Sequence, residues 1–538
     1  MTKLVAPQGT EQVEVLNADV LSATTINGEE LRKLKGNVQF KQGDVLLFCD
    51  SAYFYTQQNK VNAYNNIHIQ QGENVHVNGE LLEYFGATKT AIITKNVRLN
   101  DGKINLTTDK LNYDTKNKLG SYTTGATIID GENTLTSQRG YYNGFSQNLN
   151  FRKDVVLVNP RYVMKSDTLE YNTISNIAKF YGPTTITASR DVLYCENGYY
   201  NTQTDIARFG KNAYLRSDNQ WLYGDSLYYD RNRGYGRANS NIKVLDTSQK
   251  MLIEGDFAEH YEKTRRTMIT RNVLCSKGLE TDSIYLSADT VRVYYDSTGK
   301  YRILKGCQRV KIYNLQFQGI CDTIYFTFSD SVLDMRQKPI LWFGTYQCTA
   351  ERVKMKMKNG QMHLAELISD AFVVLPEDSS EYYSQIKGRD MYAYFLKNEI
   401  FHIDVNGNAE SIYFPRDEKK LFIGMNHITS LDIKIKVQNK KIKKINFINE
   451  PVATMIPMQD VSSDNALLPG FSWQIDRRPN SIADLRLKPP AENPLAPKKV
   501  VPKKTIAKPK PKPKIKPKAK KALPNKGKPK IGPEPPKK

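Results

Sequence analysis

A column of carboxylates is the feature of this chain with the clearest chemical potential. Asp50, Glu80, Asp109, Asp167, Glu196, Asp225, Asp256, Asp289, Asp322 and Glu351 recur at steps of 29 to 33 residues, with Gln138 filling the remaining position of the series. Two carboxylates held close together can share general acid and base roles, and several carboxylate oxygens around one point can hold a hard cation. A ladder copied this often argues for scaffold rather than for one catalytic dyad. Stacked in a dry interior, these acids would repel one another and lose their hydration. The column is therefore expected along a solvated sheet edge.

Other chemistry finds little support. The six histidines, among them His68, His76, His260 and His363, form no HExxH or HxH pair, and the chain has no GxSxG, P-loop or GxGxxG phrase before a helix. The six cysteines show neither CxxC nor zinc-ligand spacing. Cys49, Cys195 and Cys321 stand where Gly, Ser, Thr and Ala occur in other copies, which reads as small packing residues; a disulfide such as Cys321 with Cys348 stays open. Neither a cofactor, a metal nor an enzymatic activity is expected.

The acids are one column of a repeat. Around them the chain reads CDSAYFY from Cys49, TDKLNYD from Thr108, SDTLEYN from Ser166 and GDSLYYD from Gly224. In the copy beginning at Lys95, Val97 and Leu99, Ile104 and Leu106, and Leu111 and Tyr113 alternate with polar residues, the period-two signature of half-buried strands. Asn100, Asp101 and Gly102 break the pattern once, and Asp114 to Asn117 break it again, with residues that tolerate tight reversal. Two reversals per period make the strands antiparallel and argue against a parallel β-helix.

Two apolar stripes result. One holds Leu111 and Tyr113, Tyr142, Leu169 and Tyr171, Tyr200, and Leu227 and Tyr229; the other holds Val97 and Leu99, Val155 and Leu157, and Ile186. The residue before each acid is small, from Cys49 and Gly79 to Ala350, which places there the bend between stripes. The fold expected is all-β: an elongated, repetitive antiparallel jelly roll, or β-taco, of two facing sheets. The two stripes either fill a closed core or line a slot.

Composition divides the rest. Residues 1–19 lead in, 20–351 form the array, 352–457 continue or cap it, and 458–497 form a linker with an apolar knot at Leu468 to Trp473. Residues 498–538 carry 17 lysines and one glutamate, +16 of the chain's net +22, in a Lys/Pro-rich tail expected to be disordered. That tail has no Tyr, Trp, Phe or Arg, so it would attract DNA, anionic lipid or acidic polysaccharide equally, an anionic envelope surface included, and specific nucleic-acid recognition is not expected. No apolar run approaches the ~20 residues of a spanning helix, and the first residues lack the apolar core of a secretory signal, leaving either a cytosolic protein or a signal removed or lying upstream.

The phrases KGNVQFKQGDVLLFCDSAYFY from Lys35, KNVRLNDGKINLTTDKLNYD from Lys95 and KNAYLRSDNQWLYGDSLYYD from Lys211 resemble the OstA-like (LptA-like) periplasmic proteins of lipopolysaccharide transport. The likeness covers about residues 20–351, more weakly to 457. It implies a jelly roll whose interior holds the acyl chains of lipid A and which stacks with other jelly-roll components to bridge toward the outer membrane, without catalysis. On that reading Val97, Leu99, Leu111, Tyr113, Tyr142, Val155, Leu157, Leu169, Tyr171, Ile186, Tyr200, Leu227 and Tyr229 line the lipid. The alternative is a structural or adhesive β-repeat protein of the cell envelope. Length and tail depart from a single bridging module.

Overall fold

The computed structural model describes residues 11–486 apart from positions 27, 280–281, 359, 379–380, 440 and 464. The lysine-rich tail and the first ten residues lie outside the described residues. Within them, 34 strands join into one antiparallel sheet, mostly by pairing with their neighbours in sequence, and the only helical pieces are three short 3-10 turns after Pro457. The array is all-β, as the two reversals per repeat require.

How one sheet comes to face itself is visible in a single pair. Strand Thr90–Asn100 runs against Asn105–Asp114 with Thr94 opposite Lys110 and Val97 opposite Thr108. Lys95 and Asn96 thus stand opposite Asp109 alone. Both adopt left-handed backbone, with φ of 66° and 53°. Two such residues in succession bend the strand sharply, as bulges do. The device recurs at Asn65 and Asn66, Lys211 and Asn212, Ser240 and Asn241, and Arg271 and Asn272. Asparagine is favoured there because its short polar side chain tolerates left-handed backbone, which costs about 1–2 kcal/mol for most residues.

The acids serve these bends. Asp50 accepts a hydrogen bond from Asn66 Nδ2 at 2.9 Å, Glu196 from Asn212 at 2.7 Å and Asp225 from Asn241 at 2.8 Å; Glu80 is bonded to Asn96. Arginine replaces asparagine at Arg309, whose Nε donates to Asp289 at 2.9 Å. Where the bend holds Gly407, its backbone N–H donates to Asp432 at 2.9 Å. These carboxylates lie on the outside of the fold line, exposed or half-exposed, and tether the corner of an adjacent strand.

The inside of the corner explains the small residue before each acid. A Cβ on Gly79 would lie 2.4 Å from Ile93 Cγ2, and one on Gly255 would lie 2.6 Å from Ile269 Cγ2. Cys195 and Ala288, at the equivalent position, are fully buried. Beyond the corner the two halves of the sheet close on each other: the rings of Phe40 and Phe54, one from each half, meet edge-on at 5.9 Å. Their inward residues form one continuous core from Val13 to Ile435.

The array continues past residue 351 through Arg352–Lys358 to Val452–Pro457. Residues 461–486 then turn back along the outer surface. Gln385 donates to Ala466 O at 2.8 Å and accepts from Leu468 N at 2.9 Å; Gln347 donates to Ser472 O at 2.6 Å and accepts from Gln474 N at 2.7 Å. Further on, Arg478 donates to Gln318 at 2.8 Å and Lys311 to Asp484 O at 2.8 Å. The apolar knot packs here, with Phe471 and Trp473 against Tyr383 and Leu468 buried.

Two stability measurements follow from these contacts. Gly79→Leu should lower the unfolding free energy by about 1–3 kcal/mol through overpacking of the corner. Gln347→Ala removes both hydrogen bonds that this buried glutamine makes to the strap and should cost about 1–3 kcal/mol. Urea unfolding of both variants checks these values.

Candidate functional site

The interior between the two half-sheets is the site to which the residues point. One inward row passes from strand to strand as Ala91, Tyr113, Gly120, Tyr142, Leu149, Tyr171, Ala178, Tyr200, Ala207, Tyr229 and Gly236. Large rings mostly alternate with small neighbours, so each ring has room to lie over the next strand. The row of the other half runs Leu99, Leu106, Ile128, Leu135, Leu157, Met164, Ile186, Leu193, Leu215, Leu222, Val244 and Ile253.

All thirteen residues singled out from the sequence face this interior, in two different settings. Val97, Leu99, Leu111, Tyr113, Tyr142, Val155, Leu157, Leu169, Tyr171 and Leu227 are buried. Ile186 and Tyr200 are half-buried, and Tyr229 is 37% exposed. The buried group packs as a closed core; the exposed one lies where the interior meets solvent.

Hydrogen bonds across the open edge, opposite the fold line, account for part of that difference. The hydroxyl of Tyr113 donates to Gln71 Oε1 at 2.7 Å, and that of Tyr171 to Asp130 at 2.8 Å. Tyr84 pairs likewise with Gln42, and Tyr142 with Asp101. Each bond spans 41 or 42 residues and joins the tip of one half to the tip of the other. The acceptors are themselves held: Gln71 Nε2 donates to Thr115 O at 2.7 Å, and Asp101 Oδ1 accepts from Ile104 N at 2.9 Å. Burial first, and for Tyr142 and Tyr171 the partner carboxylate next, pushes the tyrosine hydroxyls well above their ordinary pKa, so they remain donors throughout the physiological range.

Sequence reasoning missed this acceptor column. Gln42, Gln71, Asp101 and Asp130 recur at 29 or 30 residues, but they border hairpin turns, where Asp101 reads as turn chemistry and the other three carry no signal of their own. A staple of another kind closes the seam farther along, where Lys277 Nζ lies 5.9 Å from the Phe326 ring centroid and 5.5 Å from that of Phe328. Burial lowers the Lys277 pKa.

The other chemistry-bearing residues are separate from this interior or inert. His68 and His76 stack with their ring nitrogens 3.1 Å apart. Among the described residues no three His, Cys, Asp or Glu side chains gather in an arrangement that could hold a metal. All six cysteines are free, Cys321 and Cys348 included, and burial pushes the Cys195 thiol up to about 12, far from a nucleophile's range.

Comparison with known protein families gives a match over the first part of the chain. Residues 10–167 and 163–225 fit the family described as OstA-like protein. No curated protein matches the chain. Proteins of this kind belong in general to the lipopolysaccharide-transport system of the periplasm and bind or transport rather than catalyse. Over residues 10–225, with their bent repeats and facing apolar rows, the chain is similar to the OstA-like family.

Proposed function

We propose that this protein carries lipopolysaccharide in the periplasm, with the acyl chains of lipid A lying between the two half-sheets, as part of a non-enzymatic bridge toward the outer membrane. The observation that carries this reading is the pair of unbroken inward apolar rows, together with a section in which Ile186, Leu193, Leu215, Leu222 and Val244 reach solvent from inside the fold. Covering such side chains with acyl chains gains about 25 cal/mol per Å2 of apolar area. Tyrosine suits the rim, because its ring is apolar and its hydroxyl meets sugar or phosphate.

The ends of the array support its joining to other jelly rolls. Among the described residues, Glu14–Asn17 and Val20–Ile26 each pair on one side only, as do Lys441–Ile448 and Val452–Pro457. Leu16, Val20 and Leu21 are exposed at the first end, and Ile442, Val452 and Met455 at the second. Free edges of this kind are completed by strand addition. The lysines of residues 498–538 are assigned the separate task of attraction to anionic envelope surfaces, screened over about 8 Å at physiological salt.

A structural or adhesive envelope protein is favoured instead by the closed packing of the stretch from Val38 to Tyr171. The two readings part in one experiment. Solvent extraction of the purified protein should release lipid A, identified by mass spectrometry. Val244→Asp places a carboxylate on the inward row and should lower bound lipid by at least about tenfold, since burying an unpaired charge costs several kcal/mol. Lys243→Asp, on the outer face of the same strand, should leave it nearly unchanged. Absence of lipid from the wild-type protein would favour the envelope scaffold.

A further inference from the structure

The seam between the half-sheets is not closed uniformly. Its staples pair Gln42 with Tyr84, Gln71 with Tyr113, Asp101 with Tyr142 and Asp130 with Tyr171. The next three positions of the acceptor column are Asn159, Ala188 and Ser217, and their opposite numbers are Tyr200, Tyr229 and His260. None of these pairs is joined. Asn159 turns to Asn133 at 2.9 Å, Ala188 has nothing to offer, and Ser217 makes no side-chain hydrogen bond among the described residues. On the opposite lip each polar group is satisfied on its own side: Tyr200 by Asp205, Tyr229 by Glu262 at 3.3 Å and His260 by Thr267 at 2.9 Å.

The loss of staples coincides with a change in the interior behind them. In the inward row, Leu99, Leu106, Ile128, Leu135, Leu157 and Met164 are buried to within 4% exposure, and Ile253 is buried again at 1%. Between them Ile186, Leu193, Leu215, Leu222 and Val244 are all half-buried. A depression of about 350 Å3 marks the start of this interval, lined by Asp130, Arg161, Tyr162, Tyr171 and Tyr200 among others. Beyond its far end and one further column position, Asp246, Lys277 lies against Phe326 and Phe328. With two strands per repeat and about 4.8 Å between strands, three unstapled repeats open roughly 30 Å of seam.

We propose that this unstapled window, between the lip at residues 159–217 and the lip at residues 200–260, is where the acyl chains of an amphiphile pass sideways into and out of the interior, while the stapled stretch from Gln42 to Tyr171 stays shut. The inference rests on the lipid-carrying reading above and adds to it a location. Acyl chains are the fitting occupant because the exposed wall is aliphatic. The lip offers hydroxyls and, at Arg161, a guanidinium to a polar headgroup.

Two variants and one labelling experiment test it. Ala188→Gln and Ser217→Gln, combined, give Tyr229 and His260 the acceptor that Gln71 gives Tyr113. Uptake of lipid A from doped phosphatidylethanolamine vesicles should slow by at least about tenfold with two added cross-seam hydrogen bonds, while the melting temperature stays level or rises. In the otherwise unaltered chain, a benzophenone amino acid at Tyr229 should label lipid A and one at Tyr113 should not. Unchanged uptake in a folded double variant, or stronger labelling at Tyr113 than at Tyr229, overturns the window and leaves the lipid-carrying reading standing. Failure of the wild-type protein to take up any lipid A overturns both.

Discussion

Every feature of the array depends on the tethered corner. A flat antiparallel sheet of this length would expose one apolar face to water. Paired left-handed residues on alternate strands, held in several repeats by a carboxylate of the preceding strand, fold the sheet along a line so that it becomes its own partner. The acid column therefore carries geometry rather than catalysis. It sits outside the bend because the inside has no space, as the 2.4 Å approach at Gly79 demonstrates. Small residue, acid and, about 16 residues later, asparagine are three parts of one joint.

Folding a sheet on itself leaves one long edge unbonded, and closure of that edge is a second, independent choice made repeat by repeat. A tyrosine meeting a glutamine or aspartate closes it with a buried hydrogen bond, whereas an alanine in the acceptor position leaves it to packing alone. The same backbone thus yields a sealed core in one stretch and an accessible apolar wall in another. Buried polar pairs of this type set specificity more than stability, because their net contribution is only about 1 kcal/mol each.

Much of this was legible in the sequence. The period, the antiparallel sense, the two apolar stripes and the small residue at the bend all follow from alternation and turn chemistry, which act over a few residues. The asparagine column was visible in the recurring phrases but had no assigned task, since its partner acid lies on another strand. Tyr113 and Gln71 are 42 residues apart, and nothing local to either announces the contact. Nor does alternation distinguish Leu157 from Leu215: both are inward leucines, one buried in the stapled stretch and the other half-buried where the staples are missing. The strap at residues 461–486 has no periodicity at all; its contacts are made by buried glutamines that a hydropathy reading assigns to the surface.

That strap has a consequence for how the chain assembles. Strands of the array contact chiefly their immediate neighbours, so they can zip up locally and in any order, as in other repeat proteins. The strap's contacts lengthen steadily along its course, from a separation of 81 residues at Gln385 to 125 at Gln347, 160 at Gln318 and 173 at Lys311. Closing loops of that size pays only when the far surface already exists. The strap therefore works as a gauge: it finds its full set of partners only on an array whose intervening repeats are all present and in register.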